Sequence, residues 1–124
     1  MNELEATKTP RGPGAGRRSP CPVAGSLDLL GDRWTLLVIR DLLEGKLRYG
    51  EFLASPERIA TNILAERLQR LERAGILETT LYSEHPPRAE YHLTEKGREL
   101  GDVVDAMAAW GLRHLPGTRL RTAG

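Results

Sequence analysis

The 124-residue sequence is poor in cysteine, in aromatic residues, in long apolar runs and in net charge. It contains a single cysteine, which excludes an internal disulfide framework and fits a reducing compartment. Aromatic residues make up only 5% of the chain. No run approaches the roughly 18 consecutive apolar residues of a transmembrane helix, so no membrane span is expected. The formal net charge is only +1, so a basic surface must come from how the fold arranges its charges.

The composition indicates one folded domain with polar tails. Hydrophobic and charged residues make up 40% and 28%, as in globular proteins. Residues 1–20 and 116–124 are basic, rich in Gly, Pro, Ser and Thr, and poor in large apolar groups. Because they cannot offset the entropy of ordering, we expect both to be disordered and the domain to span residues 21–115. The N-terminus has no apolar signal core, so we expect no secretory signal and a cytoplasmic protein.

Local signals predict three helices in the first half of the domain. Pro22 is suited to opening a first helix, and Asp32 to capping a second, nearly all-apolar helix that begins at Arg33 and ends at Gly45. Such a helix is expected to be buried on all sides. A short third helix carries Tyr49 and ends before a serine and a proline.

The next segment completes a helix-turn-helix. Leu64, Leu68 and Leu71 have helical spacing, and Gly75 is suited to ending this helix. Only a short break separates this helix from the one before it. This second helix is longer and richer in arginine than the first. A short helix followed, after a short break, by a longer one predicts a helix-turn-helix.

After Gly75 the apolar period changes from helical to alternating. Residues 76–84 and 88–93 predict two strands, joined by a loop at residues 85–87. Thr94 caps a last, single helix that runs to Leu115. Its apolar stripe is wider than a small domain's own surface helix needs, which predicts a dimer interface. The predicted interface residues are Leu100, Val103, Val104, Met107 and Trp110.

This order of elements predicts an α+β, mostly helical winged helix-turn-helix, with a three-helix core, a two-stranded β-wing and a C-terminal dimerisation helix. The segments CPVAGSLDLLGDRWTLLVIRDLLEG, RYGEFL, IATNILAERLQRLERAGILE and YSEHPPRAEYHLTEKGREL resemble, in this order, the HxlR-type family of bacterial transcription regulators. The resemblance runs from Cys21 to Trp110. It implies a homodimer that binds double-stranded promoter DNA, is associated with the nucleoid and regulates adjacent genes, and we expect repression. Two-fold symmetry, with the last helix and the Cys21 helix at the interface, predicts a pseudo-palindromic site.

The second helix of the helix-turn-helix supplies the candidate base contacts. Residues near the N-terminus of such a helix read base edges, which favours Thr61, Asn62 and Ala65. Gln69, Arg67 and Arg70 are placed for phosphates or outer base edges. The alternative is that these polar residues form only a solvated face, with a glutamate between them paired to an arginine.

Two further places carry candidate DNA contacts. Arg48 and Tyr49 begin the preceding helix, whose positive end favours a phosphate, and Tyr49 is also suited to the core. Arg88 follows the two prolines at the wing tip and is suited to the minor groove. The alternative for Arg88 is a cross-strand ion pair with Glu84 or Glu90.

Cys21 lies at the start of a helix, where the dipole favours a thiolate. In some members of the resembled family a cysteine at this place senses oxidants or electrophiles. In others it has no sensory role, and free cysteines often only pack. The two alternatives stay open.

The sequence offers no basis for catalysis or for a cofactor. His85, His92 and His114 lack the spacing of a metal site, and no Ser, Cys or Lys has a plausible general base beside it. A small-molecule effector pocket near Tyr91, Met107 and Trp110 is one hypothesis, although such a stripe is more typical of a dimer core. The alternative function, favoured by the balanced charge of residues 46–93, is a winged-helix module that binds a protein and no DNA.

Overall fold

The computed structural model describes residues 18–120, and most of the two predicted tails lies outside this range. The chain forms two compact units, one reaching Leu36 and one beginning at Leu37. Arg18 Nε donates a hydrogen bond to Asp28 Oδ1 at 2.8 Å, and Thr118 Oγ1 donates one to the Leu115 carbonyl at 2.8 Å. Arg18 and Thr118, just outside the predicted boundaries at residues 21 and 115, thus bond to residues within them, and the boundaries themselves stay a prediction.

The observed elements follow the predicted order of a winged helix-turn-helix. They are α1 (Pro22–Leu30), α2 (Thr35–Leu43), α3 (Tyr49–Leu53), α4 (Thr61–Arg73), β1 (Leu77–Glu84), β2 (Pro87–Leu93), α5 (Glu95–Arg98) and α6 (Gly101–His114). Helices α3 and α4 form the helix-turn-helix, and β1 and β2 form the wing. The predicted fold is confirmed.

The first unit contains α1 and the start of α2. Pro22 is the first residue of α1, where its missing N–H leaves no partner unsatisfied. Asp32 Oδ2 accepts hydrogen bonds from the backbone N–H groups of Trp34, at 3.0 Å, and Thr35, at 3.2 Å. The predicted role of Asp32 is confirmed, but the helix begins at Thr35 rather than at Arg33.

The core of the second unit comes from α2, α3, α4 and the start of the wing. Its buried apolar side chains are Val38, Ile39, Leu42, Phe52, Ile59, Leu64, Leu68, Leu71, Ile76 and Leu77. Helix α2 is less completely buried than predicted, because Leu43 at its end is exposed. Gly45 and Gly75 follow α2 and α4 with φ angles of +98° and +76°, the left-handed conformation that ends helices and favours glycine.

The wing is an antiparallel hairpin with Leu77 opposite Leu93 and Thr79 opposite Tyr91. The register shifts between Leu81 and Ser83, which leaves Tyr82 in a β-bulge. The alternation of the two strands places one face toward the helices, where the Tyr91 ring packs edge-on against Phe52 with a centroid distance of 6.1 Å.

The prediction of a single last helix is wrong, because the segment is divided into α5 and α6. Thr94 caps α5 as predicted, since Thr94 Oγ1 accepts from the Gly97 N–H at 3.1 Å. The Leu100 N–H then bonds to the Gly97 carbonyl, a tight turn that ends α5 before α6 begins at Gly101. Two glycines within five residues lower helix propensity at this point, and Gly97 also packs directly against the Ile76 carbonyl.

Candidate nucleic-acid interface

Helix α4 has one buried face and one exposed face. Leu64, Leu68 and Leu71 hold it against the core, as the spacing predicted. Asn62 and Gln69 are exposed on the other side. The core contacts therefore leave a polar helix surface open along α4.

The N-terminus of α4 combines exposed polar side chains with an uncompensated helix dipole. Thr61 and Asn62 are exposed, and Ala65, one turn on, is half-buried. Ala60 provides no side-chain cap, and the first turn contains no acidic residue. The positive end of the dipole is therefore not neutralised locally, which favours a negatively charged surface at this end of α4.

Arg67 and Arg70 both face Glu66. Arg67 Nη1 donates a hydrogen bond to Glu66 Oε2, and Arg70 Nε lies 3.9 Å from Glu66 Oε1. The ion pairing that the sequence offered as an alternative for this glutamate is therefore present. Phosphate contacts by the two arginines stay a prediction, and they require these side chains to reorient.

Arg88 is exposed near the wing tip and lies opposite Ser83. Neither alternative ion pair is present among the described residues: Glu84 lies opposite Pro87 without pairing with Arg88, and Glu90 is bonded to Arg48. Across residues 18–120, Arg88 has no ion-pair partner. Its charge is thus available at the outer end of the wing.

Arg48 and Tyr49 are placed differently from the simple phosphate site that the sequence predicted. Arg48 Nε and Nη2 each lie 3.2 Å from Glu90 Oε2. The Tyr49 hydroxyl donates to the Thr61 carbonyl. Glu51 Oε1 accepts the backbone N–H groups of Leu47 and Arg48, at 3.1 and 2.9 Å. A carboxylate of the chain itself therefore occupies the start of α3.

Those backbone hydrogen bonds also favour the ionised form of Glu51. The bonds from Leu47 and Arg48 lower the pKa of its carboxyl below the ordinary value, and the nearby positive charges of Arg48 and Lys46 act in the same direction. Glu51 is thus held ionised as the N-terminal partner of α3.

The sequence did not predict the two residues that contact the Arg48 side chain. The Arg48 guanidinium stacks on the ring of Tyr82. Glu90, which was considered only as a partner for Arg88, pairs with Arg48 instead. Strand alternation places Tyr82 and Glu90 on one face of the wing, but it does not indicate that residue 48 lies beside that face.

Helix α6 leaves an apolar surface without a partner in the described chain. None of its residues is buried. Among the predicted interface residues, Val103, Met107 and Trp110 are exposed, by 40%, 56% and 54%, and Leu100 and Val104 are half-buried. The Trp110 ring lies 5.0 Å from that of His114. Tyr91 packs on Phe52 instead, and the effector pocket stays a prediction.

Cys21 lies immediately before α1 and is exposed. Its backbone N–H donates to Ser19 Oγ at 3.2 Å. Val23 and Leu27 on the same helix are also exposed. The thiol is therefore accessible to solvent and to a reagent.

The described part of the chain shows no group of three or more His, Cys, Asp or Glu residues suited to a metal ion. None of the helices between residues 18 and 120 has the length and apolar character needed to cross a bilayer.

Comparison with known proteins identifies the family to which the chain is similar. The model of the HxlR-like helix-turn-helix family matches residues 29–119. The uncharacterized HTH-type transcriptional regulator sll1512 of Synechocystis sp. is 42% identical over 91 residues, which are 73% of this chain and 67% of that protein.

Solved structures give the same result. The redox regulator HypR in its reduced form has a TM-score of 0.71 and 34% identity, covering 77% of this chain and 95% of that one. The reduced transcriptional regulator YodB from B. subtilis has a TM-score of 0.64 and 36% identity, covering 82% and 100%.

The family match favours DNA binding over the protein-interaction alternative, and these relatives are regulators rather than members of an enzyme class. The chain therefore belongs to the HxlR-like helix-turn-helix family and is a DNA-binding transcriptional regulator.

Proposed function

We propose that the chain acts as a homodimer that represses transcription by binding a pseudo-palindromic promoter site. The observation that carries the DNA-binding part is the arrangement of α4, whose leucines are buried while Thr61, Asn62 and Gln69 are exposed along the other side. This is the arrangement needed for a helix to enter the major groove.

Different residues of α4 would contact base edges and phosphates. Asn62 suits a bidentate contact with adenine, Ala65 suits a thymine methyl group, and Thr61 suits either a base edge or a phosphate. Gln69, Arg67 and Arg70 lie further along the helix, where contacts to phosphates and outer bases are expected. Arg88 would add a minor-groove or phosphate contact from the wing.

The proposal of a homodimer rests on α6. Val103, Met107 and Trp110 recur at helical spacing and expose large apolar surfaces to solvent. A monomer rarely leaves such a stripe uncovered, and the same helix of a second copy covers it with two-fold symmetry. Two α4 helices related in this way would read two half-sites, and occupation of a promoter by the dimer would exclude polymerase.

The proposal is tested by selecting duplexes from a random-sequence library with the purified, reduced full-length chain. We expect a two-fold site, with half-sites about one helical turn or a multiple apart. Asn62→Ala should weaken binding to that site about tenfold or more, as expected for one lost base contact per half-site. Glu99→Ala, an exposed change between α5 and α6, is the control. Recovery of no common sequence would contradict the proposal.

We also propose that Cys21 makes this regulator responsive to oxidants. Its exposure and the similarity to the redox regulator HypR support this second proposal. In the simplest reaction, two Cys21 thiols of a dimer form one disulfide, and two electrons and two protons pass to the oxidant.

A further inference from the structure

The segment that precedes α3 runs along the wing. The Tyr91 backbone N–H donates a hydrogen bond to the Leu47 carbonyl at 2.8 Å, and Arg48 forms an antiparallel bridge with Glu90. Residues 47 and 48 therefore pair with the free edge of β2. The wing is attached to the helix-turn-helix through backbone hydrogen bonding as well as through its core-facing side chains.

The Arg48 side chain makes a second attachment to the same strands. Its guanidinium carbon lies 4.0 Å from the centre of the Tyr82 ring, within cation–π range. Two of its nitrogens lie 3.2 Å from one carboxylate oxygen of Glu90, and His92 Nε2 lies 3.6 Å from the other oxygen. The guanidinium thus contacts one side chain of β1, Tyr82, and one of β2, Glu90.

The next residue makes the corresponding attachment to the recognition helix α4. The Tyr49 hydroxyl donates to the carbonyl of Thr61, the first residue of α4. Two consecutive residues at the start of α3 therefore contact the two elements expected to meet DNA. Arg48 holds the wing, and Tyr49 holds the N-terminus of α4.

We propose that Arg48 and Tyr49 are positioning residues that fix the wing relative to the recognition helix, so that both elements meet DNA as one preformed surface. This inference rests on the proposed function, which assigns DNA contacts to α4 and the wing. A direct phosphate contact is disfavoured for Arg48, since its guanidinium is already paired with Glu90 and its backbone N–H already donates to the Glu51 carboxylate.

Arg48→Lys separates positioning from a phosphate contact. Lysine keeps the positive charge that a phosphate needs, but it loses the planar group that stacks on Tyr82 and presents two nitrogens to Glu90. Binding is measured by fluorescence anisotropy on one labelled duplex that the wild-type chain has selected. Positioning predicts that Arg48→Lys weakens binding about fivefold, because the planar stacking on Tyr82 and the two-nitrogen contact with Glu90 are lost.

Glu90→Gln should change DNA affinity in opposite directions depending on whether Arg48 contacts a phosphate or positions the wing. If Arg48 only contacts a phosphate, removing its internal partner frees it and removes a negative charge, so binding tightens. If Arg48 positions the wing, the same change weakens binding by a similar factor. Glu78→Gln, which removes an exposed carboxylate from the same face of the sheet, is the matched control. Wild-type affinity for Arg48→Lys, or tighter binding by Glu90→Gln, would overturn the inference.

A second measurement uses the free protein and needs no DNA. Hydrogen exchange of the Tyr91 amide, which bonds to Leu47, should become several-fold faster in Arg48→Lys and Glu90→Gln, while the Leu68 amide within α4 keeps its wild-type rate. Unchanged Tyr91 exchange would refute the positioning role, and faster exchange at both amides would show general destabilisation instead. Failure of the proposed function would appear separately, as absence of any selected duplex.

Discussion

The Ser55 hydroxyl donates a hydrogen bond of 2.5 Å to the carboxylate of Asp41, and both residues are buried. Lys46 Nζ in turn donates to Ser55 Oγ at 2.7 Å. Arg40 bonds to the other oxygen of Asp41 and to Glu57. Burial alone would lower the pKa of Arg40, but its hydrogen bonds to Glu57 and Asp41 raise it above the ordinary value. This network ties the end of α2 to the turn of the helix-turn-helix.

Ser55→Ala should lower the free energy of unfolding by about 2 kcal/mol, because a buried hydrogen bond to a charged group is lost and the Asp41 carboxylate is less well solvated. Urea denaturation followed by circular dichroism measures the change. Ser26→Ala, at an exposed position of α1, is the control and should alter stability by less than about 0.5 kcal/mol. Equal stability of the two variants would show that the network contributes little.

Gly97→Ala should destabilise the domain by about 1–3 kcal/mol through overpacking. A Cβ atom at residue 97 would lie 2.1 Å from the Ile76 carbonyl oxygen, so the backbone must move. Gly50→Ala is the matched control, since its Cβ would meet nothing within 4 Å and alanine favours the helix. Thermal melting of the two variants should show opposite shifts, and a melting temperature of Gly97→Ala at or above that of the wild type contradicts the packing described.

Stability should fall in acid partly through Glu51. Its pKa is lowered in the folded state by the hydrogen bonds from Leu47 and Arg48, so its contribution is complete above the unfolded-state pKa and disappears as the pH falls through the folded value. Between about pH 6 and about pH 3, the melting temperature of the wild type should therefore fall more than that of Glu51→Gln. Parallel curves for the two proteins would exclude this role.

The parts of the fold that follow from local signals could be predicted. Leucine spacing defined α4, and the hydroxyl of Thr94 caps the helix after the wing as expected. The partners of Arg48 could not be predicted, because Glu90 lies 42 positions further along the chain. The division between α5 and α6 was also missed, although the two glycines at this point are visible in the sequence; the close packing of Gly97 against the Ile76 carbonyl is a tertiary contact that local signals do not show.

The proposed homodimer should be disrupted by a charge on the exposed face of α6. Met107→Glu places a carboxylate within the apolar stripe, so it should shift the sedimentation coefficient toward that of a monomer and abolish binding to the two-fold duplex. Arg113→Glu, a polar exposed position of the same helix, is the control for added negative charge. A wild-type chain that sediments as a monomer at micromolar concentration would contradict the proposal.

Oxidant sensitivity should depend on Cys21. Diamide should change the affinity of the wild type for its selected duplex, and dithiothreitol should restore it. Cys21→Ser, which removes the only thiol, should bind the duplex as the reduced wild type does and give no response. A non-reducing gel separates an intersubunit disulfide from another adduct. The same diamide response in both proteins would exclude Cys21 as the sensor.

The attachment of residues 47 and 48 to β2 also limits how the wing of this chain can be exchanged for that of a relative. A chimera that takes only the hairpin over residues 77–93 from a relative would separate Tyr82 and Glu90 from the arginine that lies between them. The hairpin would then meet a foreign residue at position 48 and lose the docking that orients it. The exchangeable unit is therefore discontinuous in sequence: a graft that keeps the hairpin docked has to carry residues 47 and 48 with it.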